Sequence, residues 1–441
     1  MNLIKGNLTI RNAMPTDAEQ LCIWWNGGEI MAHAGFPNGL GEKPADVRES
    51  LLTDTDDTSR IHIIELNGKP VGEMNYRNMG GGVAEIGIKI CDFTDHYKGM
   101  GTQLLSMFID ALFAHCGYEK VIMDTNVENK RAQHVYEQKL GFRRLRVNEN
   151  SWRDQLGEPQ SSVDYEIAKA EWQARNPDMP MSYQFSPLYD SRFPLSNKYD
   201  PMWIIDNQMG PNPLALTEFL AEPFDLKPGM RVLDLGCGKG ITSVFLAREY
   251  GVQVFAVDFD EWEGWTSPEM RWNHAKEHGV ADLVVPIKAD ARHLPFAEGF
   301  FDAIICVDSY FYYGKDDAFL GNVLRFLRPR GKIGMTVPGY MKDPGDNVPA
   351  YIKAFLNDEL WTWETLAWWR DLWERSGLVA IDLADTLQDG WYFWQRWDET
   401  CHSFGKNSSP HEIDYIKADG GEYMAWLRLV ATKEVRGPPS G

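Results

Sequence analysis

The sequence predicts an α/β protein with two domains, a mixed α+β sheet domain followed by a doubly wound parallel sheet. Its length of 441 residues allows two or three domains of ordinary size. Strands and helices come in a mixed order before about residue 168 and as repeated strand–helix units after about residue 230. A proline-containing stretch without periodicity separates the two parts. We therefore assign residues 1–170 to the first domain, 171–200 to a linker and 201–441 to the second domain.

The first domain is predicted from a hairpin and the elements that follow it. Two alternating apolar runs flank Asn67-Gly68 in RIHIIELNGKPVGEMNYR, and Asn-Gly is a strong hairpin signal. A strand at 83–91 then leads through Gly99 and Gly101 into a helix with apolar residues at helical spacing. The last predicted elements are a strand at 120–127, a helix at 129–140 and a turn and strand at 141–148.

The second domain shows strands that are apolar along their whole length. They are MRVLDLG, VQVFAVDFD, DLVVPIKAD, FDAIICVDS and GKIGMTVPG, and helical patterns separate most of them. Continuous β-branched runs are typical of a parallel sheet that is buried on both faces.

Composition and charge narrow the classes of function. The chain is 44% hydrophobic and 24% charged, as in soluble globular proteins. No apolar run reaches the roughly 18 residues of a membrane span, and the N-terminus carries no signal-peptide core, so we expect a cytoplasmic protein without membrane association. The net charge of −20 argues against nucleic-acid binding and favours cationic or neutral small molecules as partners.

The six cysteines are scattered along the chain, without a C-x-x-C pair. We expect reduced thiols and no metal site, because zinc ligands usually come in closely spaced pairs.

The glycines of HYKGMGT leave backbone N–H groups uncovered at a helix N-terminus, which is a favourable place for a phosphate. The strand AEIGIKI before this loop and the segment NVENKRAQHVYEQKLGF after it resemble motifs of the GNAT family of acyl-CoA-dependent N-acetyltransferases. The resemblance covers roughly residues 7–168. It implies acetyl-CoA as cofactor, with a pyrophosphate site at His96, Lys98, Gly99, Met100, Gly101 and Thr102.

The same resemblance implies roles near the reacting thioester. Asn129 and the strand residues Ile88 and Ile90 would lie beside the pantetheine arm. Tyr136 would protonate the departing thiolate, and Glu85 is the carboxylate best placed to deprotonate the amine. At His96 the family usually has Gln or Arg, so CoA affinity is expected to be lower or dependent on pH.

The glycine run of VLDLGCGKG resembles the signature of class I S-adenosylmethionine-dependent methyltransferases, which have a Rossmann-like fold. The resemblance extends from Tyr199 to about Met341. It implies a cofactor turn at Asp234, Gly236, Gly238 and Gly240, a ribose contact at Asp258, adenine contacts at Asp290 and Ala291, and Asp308 at a strand end. Tyr199, Trp203 and Gly210 would belong to a lid, and His293 and Tyr310 would contact the acceptor, with Tyr312 and Tyr313 as further candidates.

An NAD-dependent dehydrogenase is the alternative for this domain, because a carboxylate such as Asp258 also serves a dinucleotide. The glycine spacing G-x-G-x-G favours the methyltransferase, since a dinucleotide site typically shows G-x-G-x-x-G.

Eight tryptophans lie between Trp361 and Trp397. They are typical either of an aromatic pocket for a cationic amine or of a cap packed on the core. The sequence thus predicts a bifunctional transferase that acetylates and methylates small, amine-bearing metabolites. One alternative is a methyltransferase whose GNAT domain senses acetyl-CoA without catalysis; another is an acidic scaffold with both sites inactive.

Overall fold

The computed structural model describes residues 1–54, 58–92, 99–179, 182–260, 265–406 and 410–434. The chain divides into two compact units, Met1–Ser191 and Arg192–Gly441. The division falls inside the stretch predicted as a linker, and that stretch also holds a short helix and a short strand of the first unit. Within the described part of the chain, no helix is both long enough and apolar enough to cross a membrane.

The first unit is built on a nine-stranded sheet in the order β7-β8-β6-β5-β4-β3-β2-β1-β9. Its strands are β1 (Leu3–Lys5), β2 (Leu8–Asn12), β3 (Ser59–Leu66), β4 (Lys69–Asn78), β5 (Val83–Ile90), β6 (Lys120–Asn126), β7 (Arg143–Arg153), β8 (Pro159–Ala168) and β9 (Gln184–Phe185). Its α-helices are α1 (Ala18–Trp25), α2 (Gly28–Met31), α3 (Pro44–Thr53), α4 (Met100–Ala114), α5 (Lys130–His134) and α6 (Lys169–Arg175). A π-helical segment, Val135–Leu140, continues α5.

The predicted hairpin is confirmed as β3 and β4. Asn67 and Gly68 both have positive φ, 54° and 75°, as a two-residue hairpin turn of this hand requires. Asn and Gly adopt a positive φ with less strain than other residues, so the sequence of the turn fits its backbone conformation.

The strands β5 and β6 form the parallel pair of this sheet, and they are hydrogen-bonded over a short length. Val83–Glu85 pairs with Lys120–Ile122, and the described ladder between the two strands goes no further. The part of β5 that follows Glu85 keeps its ladder with β4 on the other side. Backbone groups of β5 beyond Glu85 are therefore not hydrogen-bonded to β6 in this ladder, and we call this part of the sheet, where the two strands are not paired, the cleft between β5 and β6.

The second unit contains a seven-stranded sheet in the order β12-β11-β10-β13-β14-β16-β15. Its strands are β10 (Arg231–Leu235), β11 (Gln253–Asp258), β12 (Val284–Lys288), β13 (Phe301–Val307), β14 (Leu327–Tyr340), β15 (Val379–Thr386) and β16 (Met424–Lys433). Its α-helices are α7 (Pro201–Asp206), α8 (Pro213–Ala221), α9 (Ile241–Tyr250), α10 (Pro268–Glu277), α11 (Asp317–Leu324), α12 (Ala350–Leu356), α13 (Leu366–Arg375), α14 (Gly390–Ser403) and α15 (Pro410–Asp419).

In the order of the sheet, its first five strands are parallel, which confirms the predicted sheet: β12, β11, β10, β13 and β14. The last two strands, β16 and β15, add to it in antiparallel orientation. Because the strands β10, β11 and β13 run in the same direction, their carboxyl ends and the loops that follow lie along one edge of the sheet.

Candidate active sites

A cavity of about 680 Å³ lies at the carboxyl edge of the parallel sheet, and we call it the edge cavity. Its walls come from the loops after β10, β11, β12 and β13 and from the segment between α7 and α8. Seven of the predicted S-adenosylmethionine-binding residues line it: Gly210, Gly236, Gly238, Asp258, Asp290, Ala291 and Asp308. The spacing of these residues along the chain could reveal this grouping, because each follows a strand or belongs to the lid.

The loop after β10 leaves no room for a side chain at Gly236 or at Gly238. Gly236 and Gly238 have positive φ, 75° and 52°. A Cβ on Gly236 would lie 2.2 Å from Oγ of Ser309, and a Cβ on Gly238 would lie 2.7 Å from the sulfur of Met209. Both glycines are therefore required by the close approach of the loop to the opposite wall of the cavity.

A buried arginine that the sequence analysis missed supports this loop from beneath. The guanidinium of Arg271 donates to the carbonyl of Gly238 at 3.0 Å and to both carboxylate oxygens of Asp260 at 2.8 and 2.7 Å. A Cβ on Gly240 would lie 2.6 Å from Cγ of Arg271. The signal in the sequence was weak: Arg271 and Ala275 are one turn apart on α10 and are its buried residues.

Asp234, on β10, supports the glycine loop through hydrogen bonds and does not line the edge cavity. Its carboxylate accepts hydrogen bonds from the hydroxyls of Thr242 and Ser243, both at 2.6 Å. Burial raises the pKa of Asp234 to about 6. Asp234 thus ties the end of β10 to the first turn of α9, and the structure does not place it as a direct ligand contact.

Two further carboxylates face the edge cavity. Asp258 accepts the backbone N–H of Gly238 at 2.8 Å and that of Asp260 at 3.1 Å, so its side chain is held in one orientation. Asp290 accepts the N–H of Arg292 at 2.8 Å. Each therefore presents a fixed acceptor to a ligand in the cavity.

Besides Asp234 and Gly240, four further predicted residues lie outside the edge cavity. Tyr199 stacks on Trp203 at 5.9 Å between ring centroids and donates to Glu249, so this pair holds the start of α7 against α9. The side chain of His293 is 83% exposed on the protein surface. Tyr310 is buried between α11 and α13, because its ring packs against aromatic residues there.

A second cavity, of about 750 Å³, adjoins the first, and we call it the aromatic cavity. Three of the eight tryptophans line it, Trp363, Trp394 and Trp397, together with Phe355. Trp369 and Trp373 are fully buried in the core instead. Some of the tryptophans thus pack in the core and others line a cavity, and the cationic amine as its ligand stays a prediction.

The two cavities share part of their lining. The shared residues are Met209, Gly210, Pro211, Lys239, Asp308, Phe311 and Tyr312. Trp397 donates its Nε1–H to Oε1 of Gln208 at 3.0 Å, which ties the lid segment to α14. A molecule in the aromatic cavity would thus lie next to one in the edge cavity.

Asp308 lies where the two cavities meet. It follows β13 directly, has a positive φ of 54°, and donates its backbone N–H to the carbonyl of Thr336. A Cβ on Gly210 would lie 1.9 Å from its Oδ2. Burial, and next the charge of Glu359, raise the pKa of the Asp308 carboxyl well above its usual range. A strained backbone and a perturbed carboxyl together are typical of a functional position.

The predicted CoA site of the first unit is described in part. Gly99 has a φ of 100° and caps α4, whose first turn contains Met100, Gly101 and Thr102. The N–H groups of such a turn have no acceptor within the helix, and a Cβ on Gly101 would meet no atom of the described residues within 4 Å. Within the described part of the chain, these groups are therefore open to an anion. His96 and Lys98 lie outside the described residues.

The predicted pantetheine residues lie at or near the cleft between β5 and β6. Ile88 and Ile90 are half-buried on the part of β5 beyond the pairing with β6. Asn129 caps α5 by accepting the N–H of Ala132 at 3.1 Å. Asn129 thus has a structural role in addition to the predicted one.

Tyr136 lies in the π-helical segment and is buried. Burial, and next the charge of Asp124, raise the pKa of its phenol to about 12. Asp124, on β6, is a residue that the sequence analysis missed. Burial, and next the charges of Glu85 and Asp164, raise the pKa of the Asp124 carboxyl. Glu85, the predicted base, forms an ion pair with Arg77 at 3.4 Å. Asp124 is a second carboxylate, and its charge acts on Tyr136.

Comparison with known families assigns the two units. Residues 7–143 match the family model of the acetyltransferase (GNAT) domain, and residues 232–331 match that of a methyltransferase domain. The chain joins a GNAT domain to a methyltransferase domain. Both predicted resemblances and the α/β fold class are confirmed.

Curated relatives of this chain are methyltransferases by name. Methyltransferase GfsG of Streptomyces halstedii is 29% identical over 174 residues, 39% of this chain and 61% of the relative. Sarcosine/dimethylglycine N-methyltransferase of Halorhodospira halochloris is 31% identical over 123 residues, 28% of this chain and 43% of the relative. The chain thus spans less than two thirds of either relative.

A solved structure, phosphoethanolamine N-methyltransferase 2 of Haemonchus contortus in complex with S-adenosyl-L-methionine, is also similar. It is 16% identical, with a TM-score of 0.45, and the match covers 72% of this chain and 77% of that one.

The ion pair beneath the glycine loop leads to a stability prediction. Arg271→Met leaves the carboxylate of Asp260 buried without its counter-ion, so we expect the free energy of unfolding of the methyltransferase domain to fall by about 3–5 kcal/mol. Urea denaturation measures this. The control is Arg370→Met, which removes an exposed pair with Glu374 and should cost less than about 1 kcal/mol. Equal effects of the two substitutions would contradict the prediction.

Proposed function

We propose that the protein is a bifunctional transferase. The methyltransferase domain transfers a methyl group from S-adenosylmethionine to a small amine, and the GNAT domain transfers an acetyl group from acetyl-CoA to an amine. The observation that carries the methyl-transfer proposal is the position of the Asp308 carboxyl, which lines both the edge cavity and the aromatic cavity.

The edge cavity has the features that S-adenosylmethionine requires. Its volume of about 680 Å³ lies in the range of ordinary ligand sites. The glycine loop lets backbone approach the methionine part, and Asp258 would accept the ribose hydroxyls with the lone pairs that its two N–H donors leave free. Asp290 would accept the adenine amine. When bound, S-adenosylmethionine supplies an electrophilic methyl group on a sulfonium.

The aromatic cavity supports an amine as acceptor. Trp363, Trp394 and Phe355 line this cavity, and the faces of aromatic rings attract cations. The name of one relative includes sarcosine and dimethylglycine, which are small amines. The acceptor must lose a proton before it attacks, because an ammonium has no free electron pair. A raised pKa makes the Asp308 carboxylate a better base for that proton.

Methyl transfer forms one bond and breaks one, and it conserves charge. The amine nitrogen forms a bond to the methyl carbon, the carbon–sulfur bond breaks, and its electron pair stays on the neutral thioether. The methylated nitrogen carries the positive charge, and Asp308 carries the proton.

Methyl transfer to amines tests the proposal. With labelled S-adenosylmethionine and a panel of small amines, we expect transfer by the native chain. Asp308→Asn should lower kcat/KM at least about a hundredfold, in the range of general-base catalysis, while the affinity for S-adenosylmethionine stays the same. Asp282→Asn, at an exposed position, is the control. Transfer that is undiminished in Asp308→Asn would remove the proposed base.

The cofactor contact of Asp258 is tested separately. Asp258→Ala removes the acceptor for the ribose and the partner of the Gly238 N–H, so we expect the Kd for S-adenosylmethionine to rise at least about tenfold. Calorimetric titration measures the Kd, again with Asp282→Asn as the control. An unchanged Kd would mean that Asp258 does not hold the ribose.

The acetyl-transfer proposal rests on the accessible N–H groups at the start of α4 and on the cleft between β5 and β6. These N–H groups suit a pyrophosphate, and the wall of β5 suits an extended arm that hydrogen-bonds like a strand. Tyr136 stays protonated at neutral pH, since its pKa is about 12, and can donate its proton to a departing thiolate. Asp124 or Glu85 would accept the proton of the amine.

Acetyl transfer is tested with labelled acetyl-CoA and the same amine panel. We expect Tyr136→Phe to lower kcat by about a hundredfold or more, with little change in the Kd for acetyl-CoA, because the phenol acts in the chemical step. Tyr118→Phe, a second buried tyrosine of the same core, is the control for packing. Binding of acetyl-CoA without transfer to any amine would favour the sensor alternative.

A further inference from the structure

Gln208 belongs to the segment between α7 and α8 and lines the aromatic cavity. Its amide oxygen accepts two hydrogen bonds from α14, one from Nε1 of Trp397 at 3.0 Å and one from Sγ of Cys401 at 3.6 Å. An indole Nε1 can only donate, so the oxygen of the amide, and not its nitrogen, faces α14. The orientation of the Gln208 amide is therefore set by its neighbours.

The thiol of Cys401 supports the same orientation. Burial, and next the charge of Asp398, raise the pKa of Cys401 to about 12, so the sulfur keeps its proton at neutral pH. The thiol can therefore donate, and the amide oxygen is the group that accepts from it.

The amide nitrogen of Gln208 is left without an acceptor in the part of the chain that the structure describes. Because the nitrogen and the oxygen diverge from one carbon, Nε2 points away from the two donors on α14. A ligand that displaced water from its N–H groups without accepting their hydrogen bonds would bind less tightly. The side chain therefore favours a ligand with an oxygen at this place.

Gln208 lies close to the proposed base. It comes two residues before Gly210, at which a Cβ would lie 1.9 Å from Oδ2 of Asp308. Two residues span at most about 7 Å of chain. One small molecule can therefore reach the Asp308 carboxyl with an amine and Gln208 with an oxygen.

The charges of the lining favour a neutral oxygen. Lys406 forms an ion pair with the carboxylate of Asp206 at 2.6 Å, and Lys239 donates to the carbonyl of Asp206 at 3.3 Å. Among the described lining residues there is no arginine, the side chain that best binds a carboxylate. A carboxylate loses more hydration than a carbonyl on entering the cavity, and the Gln208 amide offers it no charge in return.

We infer that the methyl acceptor carries a neutral carbonyl oxygen, such as that of a carboxamide, and that Nε2 of Gln208 donates a hydrogen bond to it. Gln208 is thus a specificity-determining residue for the acceptor. The inference rests on the proposed methyl transfer and names its substrate class, small amines with a carbonyl group.

A matched substrate series tests the inference with the full chain. We compare ω-amino carboxamides of increasing length with alkylamines and with ω-amino acids of equal length, and measure methyl transfer from labelled S-adenosylmethionine. For the best chain length, we expect kcat/KM for the carboxamide to exceed that for the alkylamine about tenfold, because the alkylamine leaves Nε2 unpaired. The amino acid should be a poorer acceptor than the carboxamide.

Two variants isolate the amide nitrogen. Gln208→Glu keeps an oxygen for Trp397 and Cys401 but loses the N–H donors, and Gln208→Met removes both groups without adding a charge. In each variant, we expect the preference for the carboxamide over the alkylamine to fall about tenfold, mainly through KM for the carboxamide. Gln388→Glu, at an exposed position, is the control and should keep the native preference.

The preference is a ratio of two substrates on one variant, so differences in amine basicity cancel between variants. The Kd for S-adenosylmethionine and the urea midpoint show whether each variant is folded.

The outcomes separate the two proposals. Equal kcat/KM for carboxamide and alkylamine at every length, or a carboxamide preference that both Gln208 variants retain, would overturn the inference and leave the methylation of small amines standing. A preference for the amino acid over the carboxamide would overturn the neutral oxygen in the same way. A lack of transfer to every amine, with S-adenosylmethionine bound, would overturn both proposals.

Discussion

The edge cavity depends on one buried ion pair. Arg271 binds the carbonyl of Gly238 and the carboxylate of Asp260, and so it joins the loop after β10 to the loop after β11. The same two loops also meet through Asp258, which accepts the N–H of Gly238. These directional hydrogen bonds fix the distance between the two loops more closely than hydrophobic contacts do. The backbone of the glycine loop can therefore form one wall of the cavity and the carboxylate of Asp258 the next.

Much of the cavity could be predicted from the sequence, because its residues follow strand ends. VLDLGCGKG marks one strand end and Asp258, Asp290 and Asp308 mark others, and parallel strands bring such positions to one edge. The aromatic residues were harder to place. Tyr310 lies three residues from the lining residue Tyr313, yet its ring is buried, because packing against α13 decides its direction. Neither periodicity nor spacing encodes such tertiary contacts, and Arg271 was missed for the same reason.

The GNAT domain shows the same limit. The hairpin and the glycine loop have local signals, since their backbone conformations demand particular residues. The cleft between β5 and β6 has none, because it arises where hydrogen bonding between two strands stops. Asp124 lies close enough to Tyr136 for its charge to raise the pKa of the phenol. Tyr136 itself lies in a π-helical segment, a feature often found at functional sites.

The strand order also bears on how the chain folds as it is synthesised. In the first sheet, the last strand to emerge is β9, which ends at Phe185 and sits at an edge. In the second sheet, β16 lies between β14 and β15, so neither of these strands can form its hydrogen bonds to β16 until residues 424–433 have been synthesised. Synthesis proceeds at about 5–20 residues per second, slowly enough for the first sheet to assemble on the ribosome. The second sheet cannot close until β16 has left the exit tunnel, and until then the edges of β14 and β15 are open to wrong partners.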